Sequence, residues 1–410
     1  MKKRALFLLL CIGLTDTKPN IWKKLKRLAV QAYEKAKHTG QDIKYALHLE
    51  KKQKPYCTDF PDVYEPAIET ENQNDPYIQA IQKYAPIMYL HKNEKAFPMS
   101  AQAYLQHPET KIVQQNNHRK SNKAPKQILL DKGQAIPTTI AQLAQTHAGQ
   151  SDIFVEIADC VTAGQDPKKH TDAQGNLTTT AYVKVDPVND QGKAYITYIF
   201  FYGLNFPYQL KLPISNIPLP PGEILNEHEC DIEHIVEEFD VSNNELVLSR
   251  IFYAAHGSAE GLWFDILHPE NNSKNEHVTF EDHTHPIVYI AKGGHGCYPQ
   301  PGNYVRIFGF ANDETNKDMR WTPNWVLIRS PQDPAFNTQK DGWILLPGDM
   351  GPRGVGALAQ QKWFKDVRSE LSNGSTKNRH FCSKKGGLQG TAEYELCLRK
   401  KAFEATIPKK

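Results

Sequence analysis

Between Asn226 and His234 the chain places six charged or imidazole side chains in nine residues: Glu227, His228, Glu229, Asp231, Glu233 and His234. Charge that dense needs a counter-ion or a chemical task, because carboxylates drawn together repel one another and each loses hydration on burial. Carboxylate oxygens mixed with imidazole nitrogens form a donor set for a divalent cation. Mg²⁺ and Ca²⁺ favour oxygens, whereas Zn²⁺ takes carboxylate and imidazole together. Two kinds of chemistry follow: an ion that bridges the protein to a ligand, or an ion that activates water while Glu233 or a histidine moves the proton.

The elements that must carry these groups read as a hairpin. Asn243-Asn244 separates the acidic run from the stretch 246–256 and supplies a two-residue turn. With Ser242 opposite Glu245, the register pairs Phe239 with Leu248, Glu237 with Arg250, Ile235 with Phe252, Glu233 with Ala254 and Asp231 with His256. Side chains alternate with period two, so Asp231, Glu233 and His256 are expected on one face at the open end. His228 and His295 are the candidates to complete the shell, His295 because it lies in a Gly-rich loop after a predicted strand at 286–291. Plainer readings stand beside these. Asp231 and Glu233 would cap loops on a solvated edge, His295 would be a core histidine with its bonds met, and His234 would sit on the opposite face beside Tyr253.

Short runs rich in β-branched and aromatic residues predict further strands at 84–90, 153–157, 181–185, 194–202, 304–308 and 325–328. Polar loops at 165–180 and 312–321 and a proline-rich piece at 213–223 punctuate them. This pattern favours a mainly β fold, an antiparallel β-sandwich over 81–367, rather than a doubly wound sheet. Within 15–55, Ile21, Leu25, Leu28, Ala29, Ala32 and Ala36 recur at helical spacing with lysines opposite, which predicts a basic amphipathic helix. Such a helix packs on its own domain or meets an anionic membrane surface. Residues 56–80 crowd Pro, Asp, Glu and Asn as a linker does, and 368–410 form a basic tail. Gly293-Gly294-His295-Gly296 has no lysine-serine pair after it, and His256-Gly257-Ser258 is no nucleophile elbow, so phosphate-loop and serine-hydrolase readings fall away.

Net charge is +3 over 410 residues, but it is unevenly spread. The ends are basic, and residues 56–367 hold 25 basic against 38 acidic side chains. An acidic body suits a cation and argues against a nucleic-acid groove. At the N-terminus Lys2-Lys3-Arg4 precedes an apolar run over 5–14, too short to span a bilayer, so 1–14 read as a signal peptide or as a buried N-terminal segment. The first reading implies a secreted or cell-envelope protein with no transmembrane span in the mature chain. Six cysteines then remain, an even number that permits disulfides, with Cys382 and Cys397 the nearest local pair.

The order of several blocks resembles the vacuolar protein sorting-associated protein 62 family. They are Tyr84-Ala85-Pro86-Ile87-Met88-Tyr89-Leu90-His91 with Glu94, then His228 to His234, then His256-Gly257, then His285 through Gly293-Gly294-His295-Gly296-Cys297-Tyr298-Pro299. The family's usual second block is His-Glu-Gly-Asp-Trp-Glu; Cys230 stands here for its Gly and Ile232 for its Trp. The same block is similar to the His-Asp-Trp-Glu heptapeptide of the necrosis- and ethylene-inducing-like proteins. That likeness implies a sandwich with a divalent cation that engages a lipid headgroup. The expectation is thus a divalent-metal site (Mg, Ca or Zn) at one sheet end, made from Asp231, Glu233, His256, His228 and His295. It would bind membrane lipid headgroups or glycans, with a metal-dependent hydrolase as the alternative.

Overall fold

A computed structural model of the chain describes residues 56–57, 60–114, 126–128, 140, 153–157, 161–162, 164–206, 228–242, 245–255, 261–272, 277–305, 313–351, 358, 361–370 and 380–383. The chain divides into two units, Met1–Gln53 with Gln209–Leu225 and Lys54–Tyr208 with Asn226–Lys410, and every described residue belongs to the second. The signal peptide expected at 1–14, the basic helix at 15–55 and most of the basic tail at 368–410 lie outside the described residues.

The structure is predominantly β, with several sheets. Its centre is a six-stranded sheet of β1 (Thr180–Asp186), β2 (Lys193–Asn205), β3 (His228–Ser242), β4 (Glu245–Tyr253), β5 (Leu262–Asp265) and β6 (Asn324–Leu327), in the spatial order β5-β4-β3-β2-β1-β6. The Tyr-Ile-Phe-rich sequence of β2 is apolar on both sides because both faces of the sheet are covered, and a strand buried twice has no reason to alternate. Tyr198, Phe200, Ile235 and Phe239 pack on one face against Met88, Leu90, Val288 and Trp321. The latter come from a second sheet holding Ile87–Leu90, His285–Ile290, Cys297–Tyr298 and Met319–Trp321. On the other face Tyr182, Ile199, Phe201 and Ile232 pack against Ile112, Ile153, Val155 and Met350, carried by a third sheet that includes Thr110–Gln114, Ile153–Ile157 and Asp349–Met350.

Two features differ from the expected antiparallel sandwich. The central sheet is covered by a sheet on each face, and the sheets are mixed: β6 runs parallel to β1, and His285–Ile290 runs parallel to Ile87–Leu90. The stretch 56–80 also joins the body. Tyr56–Cys57 pairs with Val161–Thr162, Cys57 is disulfide-bonded, and a helix at Pro76–Tyr84, capped by Asp75, buries Ile78 and Ile81 in the core. Residue spacing hid that helix because only three of its nine positions are buried.

Candidate functional site

Strand β3 carries the acidic run, and its neighbour β2 fixes where each group points. Tyr202 lies opposite Asp231 and Phe200 opposite Glu233, so both acids share the face that looks toward the second sheet. Asp231 is 4% exposed and Glu233 8%, which makes them buried carboxylates and not caps on a wet edge. Cys230, one residue before Asp231, has φ +57°, a conformation that glycine adopts freely.

The second sheet delivers an imidazole to these acids. After His285–Ile290 the chain turns through Gly293 and His295, at φ +74° and +51°, and returns antiparallel as Cys297–Tyr298. His295 is fully buried. Its Nδ1 lies 3.1 Å from Asp231 Oδ2, its Nε2 lies 3.9 Å from Glu94 Oε1, and its ring stacks on Tyr202 at 3.8 Å and 3°. Glu94 closes the network from the other side: its Oε1 accepts from the amides of Lys95 and Ala96, and its Oε2 accepts from the amide of Gly293 at 2.8 Å. Glycine is required at Gly293, because the left-handed turn that aims this amide at Glu94 also brings Phe206 Cβ to 3.2 Å from where a Cβ would stand.

Electrostatics follow from that geometry. Burial works against the imidazolium of His295, but Asp231 and Glu94 outweigh it and push its pKa up to about 9. Burial likewise raises the Glu94 carboxyl, yet the His295 imidazolium and the amides of Ala96 and Gly293 hold it below the ordinary carboxylate range. The Tyr202 hydroxyl is driven far up by burial, then by Cys297, Glu94, Glu233 and Asp231. Asp231 and Glu233 also act on the Cys297 thiol. Three carboxylates, one imidazolium and a phenol therefore share one buried region.

The other sequence candidates fall elsewhere. His228 sits at the start of β3, where Asn205 Nδ2 lies 2.8 Å from its Nε2 and the Cys230 carbonyl 2.8 Å from its Nδ1; both bonds are met by the neutral tautomer with a proton on Nδ1. The hairpin register holds near the turn, with Ser242 opposite Glu245 and Phe239 opposite Leu248, and then slips by one at a bulge around Ser249. Arg250 consequently pairs with Glu238 and not with Glu237, and Tyr253, not Phe252, faces Ile235. The ladder stops there, so the register that put His256 opposite Asp231 does not extend that far. His256 itself lies outside the described residues; Ala255 before it donates its amide to the Cys297 carbonyl at 3.2 Å. His234 does face away, stacked on Trp363 at 3.8 Å.

Asp231 and Glu233 supply hard oxygen donors in one field, and the buried Tyr202 hydroxyl beside them lacks any hydrogen-bond partner. Among the described residues no group of three or more His, Cys, Asp and Glu side chains converges as an ion would require. The described chain thus places two carboxylate donors on one sheet face, and His256 is the third donor that the sequence offers. Glu94 and Tyr202 were not among the sequence candidates. Glu94 stood in the first family block, and Tyr202 was recoverable only from the β2–β3 register, which spans a long proline-rich insertion that does not fix which residues pair.

Residues 65–320 match the family model of vacuolar protein sorting-associated protein 62, and that match covers more than half of the chain. The chain belongs to this family. Nothing among the curated proteins matches it. Solved structures similar to it include NLPPya in complex with glucosamine, at TM-score 0.37 and 11% identity over 77% of this chain and 98% of that one. Another is Necrosis and Ethylene inducing Protein 2 from the causal agent of cocoa's Witches Broom disease, at TM-score 0.33 and 11% identity over 78% and 98%. Within the acidic run, the structure gives His228, Asp231 and Glu233 different tasks. His228 braces the strand start, while Asp231 and Glu233 face the buried network.

Proposed function

We propose that this member of the family is a binding module in which Asp231 and Glu233 hold a divalent cation that bridges the protein to a lipid or glycan headgroup. The observation that carries the reading is the burial of both carboxylates side by side on one sheet face, in a field shared with Glu94. Buried carboxylates persist where positive charge is brought to them, and a cation adds to what His295 supplies. His295 acts here through Asp231: it orients the carboxylate as an outer partner orients a metal ligand. Once bound, the ion would supply a positive centre for anionic or hydroxyl oxygens of a headgroup. Further support for export to an oxidising compartment comes from the bonded Cys57, while Cys230 and Cys297 are free and buried.

Equilibrium dialysis against Ca²⁺, Mg²⁺ or Zn²⁺ followed by elemental analysis tests the site. One ion per chain is expected in the wild type, with loss in Asp231→Asn and in Glu233→Gln. Vesicle and glycan binding should then require the same ion. A wild-type chain that retains no metal at millimolar supply removes the proposal.

A further inference from the structure

We infer that Lys92, Lys292 and Lys317 form a basic row that seats the protein on an anionic lipid surface, a contact made by the lysines themselves and independent of the proposed cation. The row follows from strand register. In the second sheet Ile87–Leu90 lies between His285–Ile290, which runs parallel to it, and Met319–Trp321, which runs antiparallel. Ile87 pairs with Ile287 and Tyr89 with Tyr289, so the same register carried past the ladder sets Lys92 beside Lys292. Met319 pairs with Leu90, which brings Lys317 beside Lys92 from the other neighbour. Two bonds hold these turns together beyond the last paired residues. Asp318, next to Lys317, accepts from the Lys92 amide at 3.0 Å, and Glu94 accepts from the Gly293 amide at 2.8 Å.

Like charges set side by side across strands destabilise a sheet, so folding alone does not call for three lysines at one level. All three are exposed, as is Lys95 in the same turn as Lys92. Basic side chains elsewhere are occupied: Lys184, Lys193, Arg250, Arg320, Arg329 and Arg368 each hold a carboxylate. Among the described residues Lys92, Lys95, Lys292 and Lys317 hold none, and Lys317 lies over the Tyr89 ring at 4.9 Å. Acids at this end are committed, Asp318 to the Lys92 amide and to Asn316, and Glu314 to His91 at 3.6 Å. The row stands on an acidic body, with 25 basic against 38 acidic residues over 56–367, so an anion is drawn to this end and repelled from most of the rest. Neighbouring strands lie about 4.8 Å apart, which gives the row a span of roughly 10 Å. A long polyanion would run off so short a track onto acidic surface. A membrane presents its charge as a plane and meets only the end turned toward it, where each lysine adds to the attraction.

Vesicle flotation of the full chain tests the row. Phosphatidylcholine vesicles with and without phosphatidylglycerol are mixed with the protein in EDTA, which takes divalent ions out of the comparison. The wild type should bind the anionic vesicles and not the neutral ones, and should release them as salt shortens the reach of the charges. Lys92→Glu combined with Lys292→Glu should bind about tenfold or more weakly. Lys83→Glu combined with Lys365→Glu makes the same change in net charge at exposed positions outside the row, and should stay within about twofold of wild type. Melting of each variant checks folding. Undiminished binding by the row variant refutes the row, and an equal loss in the control pair reduces the effect to net charge and refutes it as well. Binding to heparin with none to the anionic vesicles gives the row to a glycan and overturns the lipid partner, and binding to neither overturns the proposal outright. Vesicle binding that appears only when Ca²⁺ replaces EDTA, and that the row variant keeps, leaves the cation bridge standing and sinks the row alone.

Discussion

Two histidines of this molecule share nearly every local property and differ in charge. His295 and His234 are both buried, and each stacks on an aromatic ring at 3.8 Å, His295 on Tyr202 and His234 on Trp363. Burial lowers both, yet His295 ends at about 9 and His234 at about 3. The ring contact is common to the two, so it does not set the difference. What sets it lies at the ring edges: Asp231 and Glu94 flank His295, and no group offsets burial at His234. The glutamates of β3 teach the same lesson. Glu238, buried on the opposite face of the strand, has its carboxyl raised by burial but held below the usual range by Arg250 and Lys193, while burial drives neighbouring Glu237 far upward with only Tyr198 to oppose it.

The largest test of this comparison is His295→Phe. Phenylalanine can keep the stack on Tyr202, but it leaves the Glu94 and Asp231 carboxylates buried without their imidazolium. Breaking a buried ion pair by removing one partner costs about 3–5 kcal/mol. Urea unfolding should show a loss of that order, and a loss below about 1 kcal/mol would mean that the carboxylates relax to water or to other partners and that the network is not what holds the loop.

Glu237 offers a smaller and pH-dependent test. Its carboxyl is raised above the ordinary value of 4.5 in the folded chain. Its contribution to stability is therefore fully present below that value and is lost as pH rises through the folded one. In Glu237→Gln the loss should vanish. The variant should match wild type near pH ~4 and exceed it increasingly as pH rises above that, with a slope of up to about 1.4 kcal/mol per pH unit. Parallel pH profiles of the two melting curves would show that Glu237 ionises without cost and so reaches water.

Much of this was legible in the sequence, for reasons that individual residues make clear. The strand at 153–157 and the core of β2 were visible because aromatic and β-branched runs signal doubly buried strands. The hairpin turn was legible in Asn243-Asn244, and the pairing held as far as Phe239 with Leu248. Beyond that point Ser249 forms a bulge, its hydroxyl donating to the Glu238 carbonyl at 3.0 Å, and a serine in a strand carries no advance sign of a register change. The one-residue slip turned Glu237 from an apparent salt-bridge partner into a core acid. Asp231, Glu233 and His295 stood out through their charge and glycine context, whereas the joining of Asp231 to Glu94 depends on a parallel pairing of Ile87–Leu90 with His285–Ile290, and no local pattern encodes which distant strands pair.

The smallest effect is the sharpest check on the contrast. His234→Phe keeps a ring on Trp363 and removes a nitrogen that makes no hydrogen bond, so it deletes nothing that the folded state uses. Replacing an unsatisfied buried polar atom with an apolar one of similar shape is nearly neutral or stabilising. Overpacking works against it only slightly, since the two rings differ little in volume. Stability measured at neutral pH should then stay within about 1 kcal/mol of wild type and move upward if it moves at all. A loss as large as that of His295→Phe would mean that His234 is held by a polar partner and that equal stacking at 3.8 Å hides equal electrostatic roles. Run side by side, the two phenylalanine variants hold burial and ring contact fixed while only the flanking carboxylates differ.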